Sequence, residues 1–517
     1  MKKLLISALC LAAMWSCSTD DPATPENQAG NMYMQLSLKM ETKSGTNENG
    51  GSNANPGTEV GKEHENAIST VDIVLKPSKG GACVVAEQVV PSNAGTATYV
   101  ASFNTDKLIG GDEYTVYIYA NCNAPVSTNG ELNLDEVSDA TIGNMTTRDH
   151  FWMTNAYTVD QYNKTLPSDL SLYNVPQNPY NLGTYYVERS MARFDYMPIN
   201  DNKYTIAEGT TITLTEAALI NQSKNHYMLR RVSTDGTGTN WVIGGTEIKT
   251  NYVVDTDWNA KQNGFPKGNT ELGENFNCHM SAPSTWEYKP LPTGADGDVA
   301  DSWDGTSAGT TGATGSNHEL NDYYLWQYAK ENTIPGVPAQ DKGITTGVVF
   351  KGKITGDAVT TANGGMIYVF ENVLYGNWAA VEAAANADNA PATLVAAVNK
   401  IKAIATPAAA DYAAAGFTGY NRDTDGNYYA YYYYWNRHND NGDNTVMGPM
   451  EFAVVRNNVY KLCVDKIAKF GHPDPKDPTN PDPDPENPDD PDEDKEYYFT
   501  VTVKVLPWVV RVNHIEF

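Results

Sequence analysis

The chain has 517 residues and a formal net charge of −27, with 42 glycines and 28 prolines spread along it. That length allows two or three domains with sizeable cores, and the charge argues against nucleic acid, whose binding needs a basic face. The 32 tyrosines and short Val- and Tyr-containing runs such as Ala453–Tyr460, with little long helical periodicity, point to an all-β protein of antiparallel sandwiches.

At the start, Lys2 and Lys3 precede an apolar stretch from Leu4 to Trp15, and Ser16 stands directly before Cys17. This is the pattern of an export signal, too short to cross a bilayer and stay. Met14-Trp15-Ser16-Cys17 reads as a loose lipobox, so Cys17 is the expected lipid site, with a secreted protein lacking lipid as the other reading. Cys10 is the poorer choice because it leaves too short an apolar core before it. Two acyl chains anchor a protein stably where one does not.

The next element is a predicted strand, Met32–Met40, in which Met34, Leu36, Leu38 and Met40 alternate with mostly polar residues and form one buried face. Lys43 follows, and then Ser44–Val60, a Gly-, Asn-, Ser- and Thr-rich run that regular structure does not tolerate. Exposed segments of this kind are where proteases cut, although a first sandwich strand followed by a loop accounts for the same residues.

Further along, the chief helical candidate is the alanine-rich stretch Trp378–Ile404, with Pro391 opening a second piece at Ala392 and Pro407 ending it. Tyr428–Trp435 carries six tyrosines and a tryptophan, which predicts a strand with aromatic residues on both faces, one in the core; a sugar-stacking platform is the alternative. Asp423–Asn427 and Asn439–Asn444 resemble fragments of calcium loops but lack the closing glutamate, and turns built on Asp-Gly and Asn-Gly explain them better.

Chemistry-bearing motifs are missing. There is no Gly-x-Ser-x-Gly elbow, phosphate-binding loop, His-Glu-x-x-His or Cys-x-x-Cys, and the eight histidines are scattered. Cys278-His279 reads as a chance pair, since a catalytic Cys and His meet in space rather than in sequence. The expectation is a protein without catalytic residues, metal or cofactor. Once the signal is gone Cys83, Cys122, Cys278 and Cys463 remain, with their pairing open.

The end of the chain is the most informative part. From His472 to Lys495 runs an acidic proline-rich linker that cannot collapse and is expected to extend as polyproline II. At about 3.1 Å per residue it reaches roughly 70 Å. Beyond it Phe499, Val501, Val503 and Val505 alternate with Thr500, Thr502 and Lys504, the period of a strand with one apolar face. Pro507 is expected to interrupt the ladder between this piece and a second one, Trp508–Val512, because it has no amide hydrogen to donate. No domain of the chain's own accounts for the tail, so an apolar strand on a stiff pole reads as built to reach another molecule.

These segments resemble the fimbrillins of the Bacteroidales, in particular the shaft subunit of the short fimbria. The resemblance rests on Val454–Tyr460, the Asp/Pro/Asn linker and Val501–Trp508, and on Val187–Arg193, which in such proteins lies near the junction of two sandwich domains. It covers about a quarter of the chain; the stretch from Ile206 to Gly442 is alike only in general character. What it implies is two Greek-key-like (transthyretin-like) β-sandwich domains with a short helical insertion and a C-terminal donor-strand tail. On that pattern residues 1–16 are the signal, 17–43 a lipidated propeptide holding the removable first strand, 44–195 and 196–471 the two domains, 472–495 the linker and 496–517 the tail.

The resemblance also implies a mechanism. The lipoprotein reaches the outer membrane, a surface trypsin-like protease cuts the loop after the first strand, and the tail of a neighbouring subunit fills the groove left behind. Carried onto this sequence, Cys17 is the lipid site, the cut falls between Lys43 and Ser44, and the donor residues are Phe499, Val501, Val503, Val505, Leu506, Trp508, Val510 and Val512. Well-known family members are cut after arginine, and no arginine precedes Arg148 here, so a cut elsewhere in Met40–Val60 stays open. The partners implied are further copies of the chain, anchor and tip subunits, the protease, and a receptor of unspecified kind. A surface-anchored lipoprotein that binds or degrades glycans, or an accessory or tip subunit, is the competing expectation.

Overall fold

In the computed structural model the described residues are 30–40, 59–93, 95–156, 162–207, 209–233, 240–244, 252–258, 269–280, 282–293, 300–301, 306–307, 323–333, 344–362, 364–438, 450–475 and 499–509. Strands dominate, and the architecture is all-β. The first strand, Asn31–Met40, belongs to an eight-stranded sheet in the order Val84–Val89, Val71–Pro77, Glu113–Ala120, Met153–Asn155, Tyr180–Arg189, Asn31–Met40, Thr98–Asn104, with Asn163–Thr165 also paired to Glu113–Ala120. This sheet wraps over on itself. Val84 and Ala86 from one edge strand and Tyr99, Ala101 and Phe103 from the other enter a single core.

The chain leaves that sheet at Arg189 and enters the next at Ala192. The second sheet runs Glu59–Val60, Phe499–Val509, Asn458–Ile467, Ala192–Met197, Tyr324–Ala329. A third, in the order Lys203–Ala207, Thr210–Ile220, Gly347–Gly356, Tyr429–Trp435, packs against it. Phe194, Tyr460 and Leu462 from the second sheet meet Leu214, Phe350 and Tyr432 from the third in one core, which is the inside of a sandwich. The outer face of the third sheet carries Tyr429, Tyr431, Tyr433 and Trp435 into another core, covered by Leu272, Phe276 and Trp286. The aromatic run therefore has buried rings on both faces and offers no exposed stacking platform.

Three expectations need correction, and one element was not foreseen. The sheets are not purely antiparallel: Asn31–Met40 runs parallel to Tyr180–Arg189, and Ala192–Met197 parallel to Asn458–Ile467. The second helix ends before Pro407, as expected, but the sequence reading did not include a helix beyond it. After Trp378–Ala385 and Ala392–Lys402 a third helix, Ala409–Ala414, follows, because a proline outside a helix stops one without preventing another. The tail does have a place in its own chain, antiparallel to Asn458–Ile467. Finally, Pro507 does not break the strand, which continues through it to Val509 with Pro507 opposite the terminal residue Asn458. A missing donor is tolerated near a strand's end.

Candidate strand-exchange site

The slot occupied by Asn31–Met40 is the candidate site. Its side chains alternate without a break: Met32, Met34, Leu36, Leu38 and Met40 are buried in the first core, while Tyr33, Gln35 and Ser37 are half-buried and Lys39 is exposed on the other face. One edge pairs antiparallel with Thr98–Asn104 from Asn31 to Ser37, and the other pairs parallel with Tyr180–Arg189 from Met34 to Met40. Ser37 Oγ lies 3.4 Å from Thr98 Oγ1 across the first of these ladders. Withdrawing the strand would separate its two neighbours by about 9.6 Å, twice the normal spacing. It would also uncover five apolar side chains' worth of contact, roughly 10 kcal/mol of burial.

One wall of the slot carries a bulge. Pairing steps from Gln35–Asn181 to Leu36–Gly183, skipping Leu182. Gly183 has φ +110°, a conformation that suits glycine, and its N–H donates to Asn181 Oδ1 at 2.9 Å. The bulge lets Leu182 and Tyr185, three residues apart, both face the core. Tyr185 stacks on Tyr162 with ring centres 5.5 Å apart, and burial raises the Tyr185 and Tyr99 phenols well above their ordinary range.

Beyond the slot, Val187–Arg193 supplies a buried ionic junction between the first and second sheets. Glu188 pairs with Arg230, their side chains fully buried. Arg189 donates to Glu65 O at 3.1 Å and to Asn66 and Asn457. Arg193 donates to Glu65 at 2.8 Å and grips Asp195 with two hydrogen bonds of 2.8 Å. Burial pushes Asp195 up, but the Arg193 and Lys461 charges outweigh it and hold the carboxyl below its ordinary value. Tyr328 O–H donates to Glu65 at 2.5 Å, so Glu65 ties the short helix Glu63–Asn66 into both sheets.

The second sequence segment meets the first here. Asn457, at φ +58°, donates its N–H to Met191 O at 2.8 Å, and Arg456 pairs with Glu331 at 2.7 Å. Tyr460 O–H, buried, accepts from Val455 N–H at 2.8 Å. The sequence marked Val187–Arg193 and Val454–Tyr460 separately, without indicating that they touch. It did not mark Glu65 at all, since an isolated glutamate on a four-residue helix carries no pattern.

Of the sequence-predicted site residues, Phe499, Val501, Val503, Val505, Leu506 and Trp508 lie on the final strand, with Val503 opposite Leu462 and Val505 opposite Tyr460. Trp508 and Val509 pair parallel with Glu59 and Val60, the residues that resume the chain after the predicted cleavage loop. Cys17, Lys43, Ser44, Val510 and Val512 lie outside the described residues, as do residues 476–498 and 439–444. Asp423–Asn427 is a tight turn closed by Asp423 N–H to Asn427 O at 2.8 Å, its Asp425 carboxylate held by Tyr429. Cys83, Cys122, Cys278 and Cys463 are in no disulfide among the described residues, and burial raises Cys278 above its ordinary value.

Comparison with known proteins bears on the end of the chain. Residues 426–514 match the family described as major fimbrial subunit protein type IV, fimbrillin, C-terminal. The match spans the Tyr429–Trp435 and Asn458–Ile467 strands, the linker and the final strand, and it bears out the Bacteroidales fimbrillin resemblance of the tail. No curated protein matches the chain. Solved structures with a loosely similar course include a suspected cell adhesion protein of Parabacteroides distasonis ATCC 8503, 10% identical with TM-score 0.42, covering 93% of this chain and 99% of that one. A fimbrilin (fimA) of Porphyromonas gingivalis W83 is 15% identical with TM-score 0.37, over 93% and 98%. The C-terminally truncated tip fimbrial protein Mfa3 of Porphyromonas gingivalis is 11% identical with TM-score 0.30, over 92% and 100%. At these scores the structural likenesses carry no weight; the family match is what supports a fimbrial subunit.

Proposed function

We propose that the chain is the shaft subunit of a cell-surface fimbria, polymerising by donor-strand exchange after proteolytic loss of its first strand. The observation that carries this reading is the position of Asn31–Met40: an inner strand of its sheet, laddered on both edges, and followed within three residues by Lys43 and the Ser44–Val60 run. A cut there detaches an inner strand while leaving the body anchored by Glu65. The opened slot has two unpaired edges and an apolar floor, which a foreign strand satisfies by β-augmentation.

The final strand is the natural donor. It sits toward the rim of the second sheet, bordered beyond, among the described residues, only by Glu59–Val60, and the acidic linker gives it reach. Because the contact joins the tail of one subunit to the slot of the next, it is head-to-tail and does not close, so a filament grows. In this reading Cys17 carries the lipid of the exported precursor, the protease is trypsin-like, the other partners are anchor and tip subunits, and the chain has no enzymatic activity.

The experiment is limited trypsin treatment of the purified chain, followed by an unheated denaturing gel, beside a chain truncated after Lys495. Ladders that need both cleavage and the tail support the proposal; monomer in every lane overturns it. Amino-terminal sequencing of assembled subunits should begin at Ser44, and any other start moves the cut.

A further inference from the structure

The first strand and the tail share a pattern beyond simple alternation. Met32-Tyr-Met-Gln-Leu-Ser-Leu-Lys-Met40 aligns without a gap on Tyr497-Tyr-Phe-Thr-Val-Thr-Val-Lys-Val505. Apolar or aromatic residues coincide at all five positions that the first strand buries. On the other face Tyr33 matches Tyr498, Gln35 and Ser37 match two threonines, and Lys39 matches Lys504.

Resting on the donor-strand reading above, we infer that Tyr497–Val505 of a second copy replaces Met32–Met40 residue for residue, in the same direction, with Phe499 in the place of Met34 and Lys504 in the place of Lys39. The slot itself selects this register. A one-residue slip turns the valines outward. A slip of two in one direction puts Lys495 where Met32 is fully buried. A slip of two in the other takes Lys504 from the exposed position of Lys39 to the half-buried position of Ser37, against Thr98, and brings Pro507 to the place of Met40.

In the inferred register Thr502 faces Thr98, a favourable cross-strand hydroxyl pair that replaces Ser37–Thr98. The bulge at Asn181–Gly183 is closed by a hydrogen bond within the wall, so it is independent of the occupant and falls beside Thr500–Val501 of the donor. Three of the apolar replacements are valines in place of Leu36, Leu38 and Met40, exchanging volume for residues that suit a strand better.

Cysteine cross-linking reads the register directly. Leu38 N–H donates to Ala97 O at 2.8 Å, which makes Gln35–Val100, three pairs along, a non-hydrogen-bonded pair. Such pairs have Cα atoms about 4.5 Å apart, within disulfide range. The chain carrying Val100→Cys and Thr500→Cys is cleaved with trypsin, oxidised mildly and run heated without reductant. Tyr498→Cys or Thr502→Cys replaces Thr500→Cys in the controls, with Cys463→Ser added to the latter because Thr502 faces Cys463 in the chain's own sheet.

A heat-resistant, thiol-sensitive ladder with Thr500→Cys alone is the expected result. A ladder with either control instead overturns the register. Unheated ladders with no cross-link in any variant overturn both register and direction while leaving strand donation standing. The absence of unheated ladders throughout overturns the donor reading and the register with it.

Discussion

Arg193 reaches Glu65 at 2.8 Å across the junction of the first and second sheets, with both side chains essentially out of water. A buried pair of this kind adds little over a well-packed apolar pair, but removing one partner leaves the other charged and stranded. Glu65→Ala should therefore destabilise the chain by about 3–5 kcal/mol in denaturant unfolding, and Arg193→Ala by a similar amount, whereas the double change costs less than the sum.

Leu36 is 1% exposed, at the middle of the first strand. Leu36→Ala should cost the uncleaved chain about 2–5 kcal/mol in the same measurement. Polymer assembled after cleavage should dissociate at the wild-type temperature on a heated gel, since the altered residue has been lost with its strand.

Val501→Asp and Val503→Asp each place a charge on the apolar face of the proposed donor strand, with desolvation costing several kcal/mol. The body of the chain should still fold, judged by circular dichroism, and trypsin-induced ladders should vanish. Normal ladders from either variant contradict use of that face.

Two buried histidines give the stability a pH dependence. His438, hydrogen-bonded to Tyr460 at 2.9 Å, is lowered to about 4 by burial and by the nearby Arg230 charge. His226 is lowered well below its usual 6.5 by burial and then by Arg456 and Lys330. With pKa values depressed in the fold, the unfolded chain binds more protons, so stability is complete above pH 6.5 and falls as pH drops toward 4. His438 alone accounts for roughly 3 kcal/mol when that range is fully crossed. Denaturant midpoints between pH 7.5 and 4.5 should decline, and His438→Phe should flatten the decline.

The sequence by itself determined what depends on local period. The alternation of Met32–Met40 and of Phe499–Val505 identified both strands, the alanine-rich stretch and Pro391 identified two helices, and the aromatic run read as a strand with one face in the core, where the structure buries rings on the other face as well. Even the matching patterns of the two strands lie in the sequence, although their meaning needs the slot. What only the tertiary structure decided are neighbours, because periodicity tells a strand which face to bury and nothing about which strand lies beside it. Tyr180–Arg189 and Asn458–Ile467 became parallel partners of strands more than a hundred residues away, and the tail found a ladder in its own chain opposite Asn458–Ile467. Glu65 shows the same limit for charge: its importance comes from Arg193 and Tyr328, brought to it from 128 and 263 residues along the chain. Such contacts form only when the core excludes water around them, and no pattern local to residue 65 encodes that.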